Sequence, residues 1–252
     1  MVRIALGVFL MTLFCAGIGQ AAHPLITDDT GTQGKGKFQV EVNYEFSHES
    51  SGGVRENVHE IESVLSCGIV DTLDLVVGLP YQFIRSREDG VKTREDGISD
   101  LSVELKWRFL EREGFSLAAK PGLSIPTGND DRGLGAGKVG GSFFLIATRE
   151  LEPWTFHFNA GYGRNESTAD EERDVWHFSL AAEVEAAPWV RLVANVGAER
   201  NTDRESDTPA VFALGGMIFP VTEVLDLDVG VKVGLTRPEA DTALLAGLAF
   251  RF

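Results

Sequence analysis

Asp241-Thr-Ala-Leu-Leu-Ala-Gly-Leu-Ala-Phe-Arg-Phe252 decides the fold of this chain. Leu244, Ala246, Leu248, Phe250 and Phe252 recur at every second position, and Ala243, Leu245, Gly247, Ala249 and Arg251 fill the places between. Period two is the signature of a β-strand, whose successive side chains point to opposite faces. Here one face is apolar up to the last residue. Such a strand needs partners on both edges, because an unpaired edge leaves a row of bare N–H and C=O groups. The remaining sequence therefore has to supply the other strands.

It does so repeatedly. Phe38, Val40, Val42, Tyr44 and Phe46 alternate with Lys37, Gln39, Glu41, Asn43 and Glu45. Leu101, Val103, Leu105, Trp107 and Phe109 alternate with Ser102, Glu104, Lys106 and Arg108. Related patterns occupy about 58–69 and 73–84, begin at Phe115 and near Lys138, and recur around Trp154, Trp176, Leu192, Val211 and Leu225. With the last stretch they suggest about 12 strands, each near the ~9–11 residues that a tilted bilayer-spanning strand requires. The segments near 138 and 211 are apolar on both faces, which leaves their register open. Short links such as Val70-Asp71-Thr72 alternate with long polar ones at 48–57, 86–97, 126–137, 165–173 and 201–208. This alternation predicts an all-β fold, a single antiparallel transmembrane β-barrel with both termini periplasmic. Trp107, Phe109, Phe115, Trp154, Trp189, Phe219 and Phe252 would gather at one rim. Phe46, Tyr81, Phe83, Tyr162 and Trp176 would gather at the other, where a soluble sandwich has no need of two belts.

Arg3, the apolar run Ile4–Phe14 and Gln20-Ala21-Ala22 read as a secretory signal over residues 1–22. Residues 23–36 (HPLITDDTGTQGKG) are polar, Gly-rich and aperiodic, a periplasmic N-terminal segment before a barrel over 37–252. A formal net charge of −15 argues against nucleic acid as a partner, since phosphate backbones need a basic footprint. Two cysteines, Cys15 and Cys67, support neither a disulfide framework nor a thiolate metal site. The expected partners are outer-membrane lipid and a small-molecule solute.

Twelve tilted strands imply a backbone radius of roughly 12 Å, hence a narrow lumen or none. Its lining should include Glu41, Glu45, Glu62, Asp74, Glu104, Lys106, Arg108, Lys120, His157, Arg191, Asp226 and Lys232. Mixed signs allow a salt-bridged interior or a solvated path, and the sequence does not apportion the pairs. Thr27, Asp28 and Asp29 belong to the segment expected to fold into the periplasmic mouth as a partial plug. No catalytic residue, cofactor or metal site is expected. His48 and Ser50 only faintly resemble the His-x-Ser of outer-membrane phospholipase, since Ser51-Gly52 follows. His157 and His177 lack a placed third ligand. Gly135-x-Gly137-x-x-Gly140 opens no helix, and the acidic stretches 129–131 and 170–172 read as solvated loop tips.

The final strand resembles the closing strand of bacterial outer-membrane barrels, in which a terminal aromatic such as Phe252 is part of the signal read by the insertion machinery. Pro24-Leu25, Thr27-Asp28-Asp29, Gly34-x-Gly36, Phe38-x-x-Glu41 and Pro121-Gly122-Leu123-Ser124-Ile125-Pro126-Thr127-Gly128 carry a more specific likeness. They resemble the MetA-pathway of phenol degradation family of outer-membrane proteins. That resemblance implies an outer-membrane barrel that passes small, aromatic solutes, and it supplies no catalytic residues. A closed structural or adhesion barrel acting through acidic outer loops is the alternative expectation, and an outer-membrane lipid hydrolase the third.

Overall fold

The computed structural model describes residues 23–51, 53–88, 90–169 and 171–252, and the expected leader at 1–22 lies outside the described residues. The chain forms β1 (Phe38–Ser51), β2 (Val54–Val70), β3 (Leu73–Glu88), β4 (Val91–Ile98) and β5 (Leu101–Arg112). β6 (Phe115–Ile125), β7 (Gly140–Leu151), β8 (Trp154–Arg164) and β9 (Asp174–Ala187) follow. β10 (Val190–Glu199), β11 (Ala210–Pro220), β12 (Leu225–Gly234) and β13 (Thr242–Arg251) complete it. Apart from β4 and β5, neighbours in sequence pair antiparallel, and β1 pairs with β13 to shut the ring. β3 meets β4 from Tyr81↔Ile98 to Glu88↔Val91, then β5 from Gly78↔Ser102 to Leu73↔Trp107. β4 and β5 are therefore two halves of one stave, and the barrel has twelve.

The seam is held at its periplasmic end by Phe38 and Phe252. Their backbones exchange N–H···O bonds of 2.8 and 2.9 Å, and their rings stack at 5.6 Å. Along β13 the two faces divide as the alternation predicts. Leu244, Leu248 and Phe250 point outward and are exposed, while Ala243, Leu245 and Ala249 are buried. The same division on every stave leaves a continuous apolar exterior, including Leu65, Leu105, Phe158, Leu180 and Val196. Trp107, Trp154, Trp189 and Phe252 are exposed near one rim and Tyr162 near the other. No described helix is long and apolar enough to cross a membrane. A closed barrel can cross with strands because each backbone group is paired around the ring, and its apolar outside suits hydrocarbon. The protein is a closed β-barrel of the membrane-spanning kind.

Two expectations change. The polar stretches 48–57 and 86–97, expected as loops, are largely strand: β1 and β2 pair out to Ser51↔Val54, and β3 and β4 to Glu88↔Val91. Strands of 14, 17 and 16 residues in β1–β3 exceed what the bilayer needs, so these hairpins project beyond it with polar residues on both faces. Hydrophobic alternation marks only the part of a strand that meets lipid, which is why their outer halves read as loop. The second change concerns the lumen. β7 and β11, whose registers were open, turn Phe144, Ile146, Phe212, Leu214 and Ile218 inward, so these two strands put apolar groups among the polar ones of the interior. Gly161 and Gly197 leave room for the rings of Phe144 and Phe212, which a Cβ there would strike.

The motif at 121–128 has a structural role. Thr127 Oγ1 donates to Ser99 O at 2.8 Å and accepts from Leu101 N at 2.9 Å, bridging the break between β4 and β5. Asp100 accepts from Gly128 N at 3.0 Å and Ala136 N at 2.8 Å, and so clamps the loop that follows β6. A Cβ on Gly128 or Gly135 would overlap Leu134 O or the Asp100 carboxylate.

Val196, at mid-height on β10, is 49% exposed on the outer face, and Val91, in the projecting hairpin, is 66% exposed. Val196→Arg should lower unfolding stability in phospholipid bilayers by about 2–4 kcal/mol. Val91→Arg should change it by about 0.5 kcal/mol or less. Denaturant titration of the two variants locates the bilayer edge along the wall.

Candidate functional site

Residues 23–36 lie inside the barrel. The segment leaves β1 through Gly34 and Gly36, both at positive φ, and presses on the β2 backbone. Gly36 N donates to Gly68 O at 2.8 Å, and a Cβ on Gly68 would overlap the Gly34 carbonyl, so only glycine allows this approach. The chain then follows the inner wall. Gln33 N donates to Asp74 at 2.8 Å, Thr30 N to Thr148 Oγ1 at 3.2 Å, and Asp28 N to Asn159 Oδ1 at 2.8 Å. Ile26 N and Thr27 N both donate to Asn195 Oδ1, at 2.8 and 3.0 Å. Pro24 fills the space beside Gly216 and Gly230, Leu25 packs on the apolar cluster of Phe212, Leu214, Ala243 and Leu245, and His23 reaches Asp228 at 2.6 Å.

An aperiodic segment has no ladder to satisfy its amides, so side-chain acceptors of the wall do it, helped by Asp28 and Asp29, which accept from Asp29 N and Gly31 N. Charge adds to the anchoring. Lys106 Nζ lies 2.8 Å from both Asp28 and Asp29, and Lys120 Nζ 3.0 Å from Asp28. Thr27 and Asp29 are buried.

A chain of charge runs along the wall. His157 contacts Glu183 at 3.1 Å, Glu183 contacts Arg191 at 3.0 Å, and Arg191 contacts Asp226 at 3.3 Å. Asp226 continues to Arg251 at 3.0 Å, and Arg251 Nε donates to Gln39 at 2.8 Å. Buried ions need such partners, and removing one member of a pair typically costs about 3–5 kcal/mol.

Opposite the segment the lumen stays open. A cavity of about 350 Å³ lies between residues 23–33 and the wall formed by β1, β2, β3 and β5. Of the residues expected to line the lumen, Glu41, Glu45, Glu62, Asp74, Glu104, Lys106 and Lys120 face it, as do Thr27, Asp28 and Asp29. His157, Arg191 and Asp226 sit in the charge chain instead. Arg108 lies with Glu111 at 3.3 Å near the periplasmic turn, and Lys232 bridges Glu45 and Glu239 at 3.2 and 3.1 Å. A second cavity of about 290 Å³ under the outer loops shares Ser102 and Glu104 with the first. Sequence reading missed the anchors Asn159, Asn195 and Thr148. Their inward parity was visible, but nothing in the pattern marks which polar wall residue will meet the segment.

The other candidates are tied into the scaffold. His48 bonds Asn57 at 2.9 Å, and Ser50 N donates to Asp241 at 2.8 Å. His177 sits between Glu199 at 3.2 Å and Ser179 at 3.0 Å. In the outer loops, Thr168 donates to Asp130 at 3.0 Å and Arg200 meets Glu172 at 3.1 Å. The hydrogen bond from Asp174 N, helped by Arg200, holds the Glu172 carboxyl below the usual range. No grouping of three or more His, Cys, Asp or Glu that could hold a metal occurs among the described residues.

A family model described as "Putative MetA-pathway of phenol degradation" matches residues 21–252. The chain belongs to this family. Among solved structures it is similar to an outer-membrane channel from Pseudomonas putida F1, at 17% identity and a TM-score of 0.71, covering 89% of this chain and 98% of that one. It also resembles the KdgM porin, at 9% identity and a TM-score of 0.55, covering 85% and 99%. The translocator domain of the autotransporter NalP from Neisseria meningitidis follows at 12% identity and 0.52, covering 87% and 89%. At these identities the likeness is one of fold. No curated protein matches the chain.

Asn195→Ala removes the acceptor of two segment amides while leaving the barrel ladder intact. Leaving a buried donor unpaired costs about 1–3 kcal/mol, so opening of the segment should become roughly ten- to a hundredfold more frequent. Hydrogen exchange at Ile26 and Thr27 should accelerate accordingly, with β10 amides unchanged.

Proposed function

We propose that the protein is an outer-membrane channel for small polar solutes, narrowed by residues 23–36 acting as a plug within its own lumen. The observation that carries this reading is the unfilled space. The segment covers the apolar and charge-paired side of the interior, and the cavity it leaves shares Ser102 and Glu104 with the second cavity under the outer loops. A lumen shaped only for stability would close this space, since the carboxylates lining it are costly to bury without water or partners. The family description names phenol degradation. The acidic lining disfavours phenolate anions on this route, so passage of an aromatic solute would rest on its neutral form.

The dense pairing along His157–Glu183–Arg191–Asp226–Arg251 favours a second reading, a closed barrel whose outward hairpins do the work. Single-channel recording from the refolded chain separates the two. The channel reading expects discrete conductance steps that grow several-fold on deletion of residues 23–36. Unchanged conductance would sink the plug, and silence from both proteins would favour the closed scaffold.

A further inference from the structure

The hairpins that project beyond the bilayer sort their charge by face. Alternation along β3 puts Arg85 and Arg87 on the outer face with Tyr81 and Phe83. The registers carry that face across the sheet. Phe83 pairs with His59 and Asp96, Arg85 with Asn57 and Arg94, and Arg87 with Arg55 and Lys92. The opposite face of the same strands, continuous with the lumen wall, carries Glu56, Glu88 and Glu95. A chain of net charge −15 thus gathers five cations into one outward patch.

This patch is not neutralised by the protein. Arg55↔Arg87, Arg87↔Lys92 and Arg85↔Arg94 are like-charged cross-strand pairs, which destabilise a ladder. All five cations are exposed, and among the described residues none of them makes an ion pair. Other outer cations do find carboxylates. Arg164 meets Glu166 and Asp174 at 2.7 and 2.8 Å, Arg200 meets Glu172 at 3.1 Å, and Arg132 meets Glu95. Asp96, on the same face as the patch, accepts from Tyr81 Oη at 3.1 Å.

Height along the wall is a second, independent observation. Just below the patch the same face carries an aromatic cluster. Tyr44 Oη lies 2.8 Å from His59 Nδ1, the rings of Phe46 and His59 are 4.8 Å apart, and those of Tyr81 and Phe83 are 4.9 Å apart. Below these, Ile61 and Leu79 are exposed on the apolar wall. Such aromatic belts mark the membrane interface. Arg85 and Arg94 lie one level beyond Phe83, about 7 Å along the strand and roughly 5 Å along the membrane normal at a tilt of about 40°. That places them in the headgroup layer, which is about 5–8 Å deep on each side of the hydrocarbon.

We propose that the outer face of β2, β3 and β4 binds the phosphate groups of a phosphorylated glycolipid in the surrounding outer leaflet. Four of the five cations are arginine, whose guanidinium takes two phosphate oxygens at once. The patch continues directly into the lipid-facing wall, so the acyl chains of the occupant lie against Ile61 and Leu79. A soluble anion would use only the charged half of this surface. The inference needs a barrel in the outer membrane and does not depend on conduction.

The test is native mass spectrometry of the full mature barrel in neutral detergent, titrated with lipid A, with phosphatidylcholine, or with inorganic phosphate. Discrete lipid A adducts are expected, with affinity at least about tenfold above that for phosphatidylcholine. The triple variant Arg85→Gln/Arg87→Gln/Arg94→Gln should weaken lipid A by about tenfold or more, as expected for losing charged hydrogen bonds. Because it also removes the like-charged pairs, this variant should unfold no more readily than the parent in lipid-free detergent. Arg112→Gln, at the periplasmic turn, should leave binding unchanged. Absent adducts, equal binding of phosphatidylcholine, or indifference to the triple variant would overturn the inference. Full displacement of lipid A by inorganic phosphate would reduce the patch to a bare anion site and overturn the lipid. A barrel that takes lipid A but never conducts would overturn the channel reading and leave this surface standing.

Discussion

A polypeptide in hydrocarbon has no water to satisfy its amides, and the rest of this structure follows from that constraint. Only a closed ring leaves no edge, so the last strand must find the first, and the Phe38–Phe252 contact marks where it does. Closure fixes register, register fixes which residues face in, and the inward set determines what the interior can hold. The apolar exterior suits hydrocarbon. The interior, with charged groups on nearly every stave, does need partners.

That need is met in two ways on the two sides of the lumen. Around β8–β13 the wall charges pair with one another, and the amides of Ile26, Thr27 and Asp28 find side-chain acceptors on β8 and β10. Along β1–β3 and β5 the carboxylates outnumber their cations, and water-sized space remains in front of them. The segment is held from both sides, by Asn159 and Asn195 on one and by Asp74, Lys106 and Lys120 on the other, and the space it leaves open lies against β1–β3 and β5.

The staves were legible because lipid enforces strict alternation, and the alternation of short and long links gave their direction. The projecting hairpins were not, since polar residues on both faces of β1–β4 beyond the bilayer carry no period. The inward Phe144 and Phe212 were hidden for the opposite reason: strands apolar on both faces have no readable parity, and the small Gly161 and Gly197 that admit the rings lie on neighbouring strands. Much of the cavity lining could be named in advance from parity alone. Its asymmetry could not, because which carboxylate meets Lys106 or Lys120 depends on the path of residues 23–36 across the lumen.

The measurement that bears most directly on this account is the reversal potential of the open barrel under a salt gradient. An acidic cleft as the conducting path predicts a clear preference for potassium over chloride, weakened by high ionic strength as screening sets in. A preference for chloride would contradict it, and would place the route along a different part of the wall.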